Sequence, residues 1–339
     1  MASDERRQRQ TSFWKALRAV RVRSIPRFTL RMPGRSHSGP LPPITSGQEF
    51  LAAELRSIVT ALSVGIGQRN VFKPSGYREA EVYLGNELAR LGYTVRRQAY
   101  TAAGVECANL DVEVVGRDRP DEVVVVGAHY DSIGESPAAN DNGSGVAATL
   151  ALAKRFIDAK PVRTVRFAFF ANEEPPFFFT GEMGSHVYAT ACKARRENIV
   201  AMMTPETIGY YSDEEGSQKY PIPVGGLYPE KGDFIAFVGM HESAKLIRRA
   251  VGTFRRECRF PSIGAGLPSI VPMVGASDHW SFWLMGYPSL MITDTAPFRY
   301  PHYHLRSDTP DKIDFGKMAR VVEGIEAVTR DLADGAPVA

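Results

Sequence analysis

The segment EVVVVGAHYD, residues 122–131, decides the fold class that this sequence predicts. Its continuous β-branched run, Val123–Val126, is typical of a strand buried on both faces in the middle of an α/β sheet. A second apolar strand is predicted at Thr164–Phe170. Between the two strands, small and apolar residues at helical spacing predict a helix at Gly143–Phe156. This alternation of strands and helices predicts an α/β fold with a mainly parallel sheet.

The rest of the chain extends this pattern on both sides. Ser46 and Glu49 have the spacing of a capping box, which predicts a helix over Ser46–Leu62 with Ser46 as its cap. The other predicted helices are Tyr77–Leu91, Ser185–Arg196, Glu242–Arg256 and Asp314–Leu332, and the other predicted strands are Tyr93–Tyr100, Ala108–Val115, Ile199–Met203 and Ser289–Thr293. No repeat or compositional break divides this region, so we predict one domain over residues 46–339.

Composition and charge exclude several classes of protein. The 339 residues are 44% hydrophobic and 23% charged, and no run of ~20 apolar residues predicts a membrane span. Ten basic residues but only Asp4 and Glu5 fall within residues 1–35, a charge of +8, whereas the whole chain carries +3. The remainder is therefore mildly acidic and gives no reason to expect a nucleic-acid binder. Three cysteines without a C-x-x-C pair argue against a disulfide scaffold.

Residues 1–45 are rich in Arg, Ser and Pro and are predicted to form a basic, disordered arm. The alternative for Phe13–Val22 is a short basic amphipathic helix that binds a membrane surface or a partner. Arginine interrupts this region too often for the apolar core of a secretory signal, which favours a cytoplasmic location.

Polar residues follow three predicted buried strands. His129 and Asp131 follow the first, Glu173 and Glu174 the second, and Glu206 the third. Open α/β sheets bind their ligands beyond the carboxyl ends of the strands, so we expect these side chains to meet at one rim. A single residue of this kind could be a surface charge, but carboxylates gathered at one rim repel each other unless a cation lies between them.

Other candidate ligands lie in loops. Asp141 could bind metal or cap the helix that follows it. His302 and His304 stand two residues apart, and either or both could bind metal, with Asp308 to orient the ligand. Asp278 and His279 form a further candidate pair, for which helix capping by Asp278 is the alternative.

The sequence lacks the motifs of several other chemistries. It contains no H-E-x-x-H, no G-x-S-x-G elbow and no phosphate-binding loop. Imidazole and carboxylate ligands suit zinc instead. Of the adjacent glutamates, Glu173 and Glu174, one can bind metal while the other takes a proton from a water molecule.

Several motifs stand in order along the chain: GAHYDS (127–132), NDNGSG (140–145), NEE (172–174), ETIGY (206–210), SDH (277–279), and His304 four residues before DTP (308–310). Together they resemble the co-catalytic zinc aminopeptidase family, which contains bacterial leucyl aminopeptidases and glutamate carboxypeptidases. The similarity spans about residues 50–330. The fold that it implies is a single three-layer α/β/α domain with a mixed, mostly parallel central sheet.

The resemblance also implies a site for two zinc ions and a peptide substrate. The ligands it implies are Asp141 between the ions, His129 and Glu206 at one ion, and Glu174 and His304 at the other. Glu173 would be the general base that activates the bridging water, and Asp131 would orient His129. The implied activity is the hydrolysis of N-terminal residues from peptides.

Two features depart from the common family pattern. Pro175 and Pro176 follow the glutamate pair, and Glu206 stands where many relatives carry Asp. The walls of the side-chain pocket are expected from Pro175–Phe179 and from the irregular stretch Gly209–Asp233. Two alternatives remain open: a glutaminyl-cyclase-like acyltransferase on the same fold, which uses one zinc, and a non-catalytic binding module.

Overall fold

A computed structural model describes residues 30–336 except 222, 223 and 225. The predicted disorder of residues 1–29 lies outside the described residues. Residues 30–45 follow the surface of the domain: the Arg255 guanidinium donates to the carbonyls of Pro33 and Gly34 at 3.1 Å, and the Ser262 amide donates to Ser36 Oγ at 2.8 Å. The boundary between an arm and a domain at residue 46 stays a prediction.

Within the described residues, a mixed sheet of eight strands forms the centre of the fold. The strands are β1 (Arg96–Ala102), β2 (Val105–Val114), β3 (Arg119–His129), β4 (Arg163–Phe170), β5 (Asn198–Pro205), β6 (Ile235–Met240), β7 (Ser262–Leu267) and β8 (Ser289–Thr293). They lie in the order β1-β2-β4-β3-β5-β8-β6-β7. The pairs β3–β4, β3–β5, β5–β8 and β6–β7 are parallel, whereas β1–β2, β2–β4 and β6–β8 are antiparallel. The predicted mixed, mostly parallel sheet is confirmed.

Helices cover both faces of this sheet. They are α1 (Ser46–Thr60, continued by a π-helical turn, Ala61–Ile66), α2 (Pro74–Arg90), α3 (Gly143–Phe156), α4 (Gly184–Ala194), α5 (Ala244–Glu257), α6 (His279–Leu284), α7 (Ala296–Arg299) and α8 (Phe315–Asp334). Val124 and Val126 of β3 belong to the core shared with α1, α2, α3, α5 and α8, while Val123 and Val125 belong to the core shared with α4 and α6. Because successive strand residues point to opposite faces, the valine run is buried on both sides, which confirms the three-layer α/β/α fold.

Several predicted boundaries agree with the structure and one cap does not. The helix Gly143–Phe156 and the strand Ser289–Thr293 have the predicted bounds. The first helix is capped by Thr45 rather than by Ser46. The Thr45 hydroxyl accepts the Gln48 amide at 3.2 Å, and the Gln48 side chain accepts the Thr45 amide at 3.2 Å. Thr45 and Gln48 thus form the reciprocal pair one residue earlier than predicted.

Two strands, β6 and β7, and the short helices α6 and α7 were not predicted from the sequence. β6 and β7 form the edge of the sheet beyond β8, and α6 and α7 lie in the segments before and after β8. Among the described residues, none of the helices is long and apolar enough to cross a membrane.

Candidate metal centre

The carboxyl ends of three neighbouring strands form the floor of the site. β3 lies between β4 and β5 and runs parallel to both, so the three strands end at the same edge. His129 is the last residue of β3, Glu173 and Glu174 come just after β4, and Glu206 directly follows β5. The structure brings all four side chains together in the interior, where each is at least nine-tenths buried.

Asp141 and His304 join this floor from loops and create two overlapping groups of donor atoms. The first group is His129, Asp141 and Glu206, and the second is Asp141, Glu174 and His304; within each group the donor atoms lie within 4.8 Å of one another. Asp141 Oδ1 lies 3.5 Å from His129 Nε2, and Asp141 Oδ2 lies 3.1 Å from His304 Nε2. The remaining carboxylates complete the groups, with Glu206 Oε2 2.9 Å from His129 Nε2 and Glu174 Oε2 3.4 Å from His304 Nε2. Asp141 therefore presents one oxygen to each group.

The donor atoms fit zinc. Two tetrahedral zinc ligands with bonds of about 2.0–2.2 Å stand roughly 3.3 Å apart, close to the 2.9–3.5 Å spacings between these atoms. Within the described part of the chain, His129 Nδ1 and Nε2, Asp141 Oδ2 and Glu174 Oε1 are buried without a hydrogen-bond partner. Buried polar atoms rarely lack a partner, and a cation bound between the two donor groups would supply one for the atoms that face it.

The pKa values of the buried carboxylates also favour a bound cation. Burial, followed by neighbouring carboxylates, raises the pKa of Glu174 well above its usual range, and burial raises the pKa of Glu206 to about 8. Burial also opposes the ionisation of Asp141, but His129 and His304 outweigh it and hold the pKa of that carboxyl below its usual range. Without metal the cluster must hold protons, whereas a divalent cation would stabilise the ionised carboxylates.

Asp131 connects the histidine to the glutamate pair. Its Oδ1 lies 3.3 Å from His129 Nδ1, the ring nitrogen that faces away from the donor groups. The same carboxylate accepts the backbone amides of Glu173 at 3.0 Å and of Glu174 at 3.1 Å. The first contact places Asp131 where an orienting carboxylate is expected, and the two amide contacts were not anticipated from the sequence.

Asp308 and Asn142 support the ligands in ways that sequence reasoning missed. Asp308 accepts the amides of Asn140 and Asp141 at 2.9 and 3.0 Å, so it holds the backbone at Asp141 rather than an imidazole. Asn142 donates its side-chain amide to Glu206 Oε2 at 2.6 Å. Asn142 stands next to Asp141 in the motif NDNGSG, and Asp308 begins the motif DTP. Nothing in the sequence, however, indicates which groups these two side chains contact.

The other candidate histidines lie outside the two groups. His279 is fully buried and its Nε2 lies 2.8 Å from the Val274 carbonyl; burial lowers its pKa to about 4, as expected for a neutral core histidine. His302 Nδ1 lies 2.9 Å from Ser307 Oγ. Asp278 is buried without a hydrogen-bond partner among the described residues. Burial is the main cause of the raised pKa values of Glu173 and Glu206, and the charge of Asp278 adds to it, so Asp278 faces the site without belonging to either group.

A largely apolar pocket of about 90 Å³ opens beside Glu206 and Tyr303. Its walls come from β6, β7 and β8 and from Gln218, Tyr220 and Tyr228 of the irregular stretch 209–233. Pro175 and Phe177 instead line a separate, smaller cavity next to Glu174. Of the two expected walls, only the 209–233 stretch borders the apolar pocket.

Tyr303 is a further residue that the sequence did not single out. Its ring stacks on His304 with the centroids 3.8 Å apart. Burial, then the charges of Asp141, Glu174 and Glu206, raise its pKa well above the usual range, so the phenol stays protonated beside the donor groups. Its only signal in the sequence is its position before His304.

Known proteins resemble this chain both in sequence and in fold. Residues 109–329 match the pattern of peptidase family M28. The chain is 33% identical over 281 residues to the uncharacterized protein YfbL of Escherichia coli (strain K12), an alignment that covers 80% of this chain and 85% of the relative. It is 28% identical over 231 residues to a probable leucine aminopeptidase 1 of Trichophyton verrucosum, which covers 63% of this chain and 56% of the relative. The chain thus spans only about half the length of that aminopeptidase.

Solved structures show the same fold. A zinc aminopeptidase from Bacillus subtilis superposes with a TM-score of 0.66 at 14% identity, over 84% of this chain and 95% of the other. A glutaminyl cyclase from Porphyromonas gingivalis superposes with a TM-score of 0.60 at 17% identity, over 82% and 97%. The M28 pattern extends over more than half of the residues and includes the whole rim of strand ends described above, so the chain belongs to peptidase family M28, a family of zinc exopeptidases.

Proposed function

We propose that this protein is an aminopeptidase that works with two zinc ions. The observation that carries the proposal is the position of Asp141, whose two oxygens face two donor groups that each contain one imidazole and one further carboxylate. Asp141 would hold both ions, His129 and Glu206 would complete one site, and Glu174 and His304 the other. Zinc bound there supplies a Lewis acid that polarises the substrate carbonyl and lowers the pKa of a water molecule.

Glu173 is the proposed general base. Its carboxylate lies 3.8 Å from His129 Nε2 yet belongs to neither donor group, so it is free for proton transfer. Burial raises its pKa above the usual range of a carboxyl, which favours the uptake of a proton from water. Water adds to the peptide carbonyl, Glu173 takes the proton and passes it to the leaving amine, and the C–N bond breaks.

The proposed zinc ions favour a substrate with a free amino terminus. The α-amino group, in its neutral form, is a nitrogen ligand that could bind at one of the two ions. The protonated phenol of Tyr303 is a hydrogen-bond donor beside the donor groups and is proposed to stabilise the oxyanion that develops on the scissile carbonyl.

The apolar pocket is proposed to hold the N-terminal side chain, so large apolar residues are expected to be preferred. Ala265 lies in the wall on β7 and is 4% exposed. Replacing it with phenylalanine should fill the pocket and lower kcat/KM for a leucyl substrate by about tenfold or more. An alanyl substrate measured with the same variant is the control and should change little. Equal losses for both substrates would contradict the assignment of this pocket.

A glutaminyl cyclase is the second candidate, because a protein of that name shares the fold. The two activities differ on a peptide with N-terminal glutamine. An aminopeptidase releases free glutamine, whereas a cyclase lets the α-amine attack the side-chain amide, expels ammonia and leaves a pyroglutamyl peptide.

We expect the zinc-loaded chain to release free leucine from a peptide with N-terminal leucine and free glutamine from a peptide with N-terminal glutamine. A chelator should abolish this activity, and about two equivalents of zinc should restore it. Mass spectrometry of the products and metal analysis of the protein measure both quantities. A pyroglutamyl product, or full activity with a single zinc ion, would contradict the proposal.

A further inference from the structure

We propose that Arg69 and Asn70 form a positioning clamp that fixes the loop between two metal ligands and thereby sets the affinity for zinc. The loop is residues 130–140, which connect His129 to Asp141, and we call it the metal loop. The inference rests on the proposed function, because it concerns how tightly that site holds its ions.

The metal loop contains neither helix nor strand, so its shape depends on contacts with the rest of the protein. Two adjacent side chains, those of Arg69 and Asn70, donate five hydrogen bonds to backbone carbonyls of the loop. The bonds are Arg69 Nε to Tyr130 at 2.7 Å, Nη1 to Pro137 at 2.7 Å, Nη2 to Ala138 at 2.8 Å, and Asn70 Nδ2 to Ser132 at 2.8 Å and to Gly134 at 2.9 Å. The two side chains therefore hold five carbonyls spread along the loop.

The backbone of Arg69 adds a reciprocal pair of bonds. Its amide donates to Ser132 Oγ at 3.0 Å, and its carbonyl accepts the Ser132 amide at 3.0 Å. On the far side, Nη1 also donates to the Gly67 carbonyl at 3.0 Å, next to the π-helical turn that follows α1. Arg69 thus ties the metal loop to the N-terminal helices, and any shift of its guanidinium is expected to change the separation of His129 and Asp141.

The surroundings of Arg69 are unusual for a buried cation. The side chain is 0% exposed, and no carboxylate of the described residues forms an ion pair with it within 4.0 Å. Burial lowers its pKa to about 10, and the more distant carboxylates of Asp131, Asp308 and Asp141 oppose that change. Burying an unpaired charge is costly, so the site carboxylates and the loop carbonyls together are what stabilise Arg69 in the interior.

A second buried arginine, Arg163, is paired with a carboxylate, as buried cations usually are. Arg163 is 1% exposed, pairs directly with Glu122 and donates to the carbonyls of Leu332 and Gly335. It lies at the opposite end of the strands, because it begins β4 whereas the metal site follows the end of that strand. Arg163 is therefore a matched control for the effect of changing a buried arginine.

The test is the Arg69→Lys variant of the full chain, with Arg163→Lys beside it. Lysine keeps the charge but has three donors at one point instead of a planar fork. Zinc affinity is measured by competition with a chromogenic chelator, and the melting temperature is measured without metal and with zinc. We expect Arg69→Lys to bind zinc about 10–100-fold more weakly, the range seen when outer partners of metal ligands are lost, and to show a smaller rise in Tm on adding zinc. Arg163→Lys should lower Tm equally in both states and keep the wild-type affinity.

Asn70→Ala provides a second measurement if Arg69→Lys fails to fold, since it removes two of the five loop bonds and leaves the arginine in place. We expect a smaller but measurable loss of zinc affinity. Wild-type affinity in whichever variant folds, with Tm lowered equally with and without zinc, would overturn the clamp and leave the proposed function intact. A wild-type chain that binds no zinc would overturn the proposed function itself and the clamp with it.

Discussion

Replacing Glu173 with glutamine is expected to reduce kcat by a factor of about 10²–10⁴, the usual contribution of a general base. Glutamine has nearly the same shape but cannot accept a proton from water. Because Glu173 belongs to neither donor group, the variant should still bind zinc as the wild type does. Steady-state kinetics with a leucyl substrate and metal analysis of the same sample measure the two expectations together.

A matched control lies in the same loop region. Glu182 is exposed on the segment between β4 and α4, so Glu182→Gln should leave kcat unchanged. Loss of zinc from Glu173→Gln would make Glu173 a ligand rather than a base. A kcat within a few-fold of wild type would remove it from the proton transfer altogether.

The fold could be predicted where the sequence pattern is local. The valine run of β3 and the helix Gly143–Phe156 are specified by residues within a single element. β7, Ser262–Leu267, was missed because its sequence, SIGAGL, contains two glycines, which strands usually avoid. The structure explains one of them: a Cβ at Gly264 would lie 2.8 Å from Val251 of α5 and 2.9 Å from Met32. That requirement comes from tertiary packing, which the local pattern does not contain.

The residues of the candidate site also differ in how far the sequence alone could predict them. His129, Glu173 and Glu206 could be placed at one rim, because they follow strands whose parallel order constrains where the ends meet. Asp141 and His304 lie in loops and were assigned roles through the family resemblance. Arg69 could not be found, because it stands about 60 residues before the loop it holds and its partners there are mostly backbone carbonyls, which carry no residue-specific signal. The roles of all the predicted site residues stay predictions until they are tested.

Replacing Asp141 with alanine is expected to abolish the binding of both zinc ions. Asp141 is the only residue shared by the two donor groups found among the described residues, and it gives one oxygen to each. Losing an outer partner of a metal ligand typically costs about 10–100-fold in affinity or activity. The loss of a ligand common to two ions should exceed this, and we expect kcat/KM to fall on the order of 10³-fold or more.

The comparison with His304→Ala separates a bridging ligand from an ordinary one. His304 belongs only to the second group, and its side chain is 29% exposed, so truncating it should disturb the fold little. His304→Ala should therefore keep about one zinc ion per chain, at His129, Asp141 and Glu206, whereas Asp141→Ala should keep none. Metal analysis after dialysis against metal-free buffer gives both counts. One tightly bound ion in Asp141→Ala would show that His129 and Glu206 hold zinc without it, and Asp141 would not be the bridge.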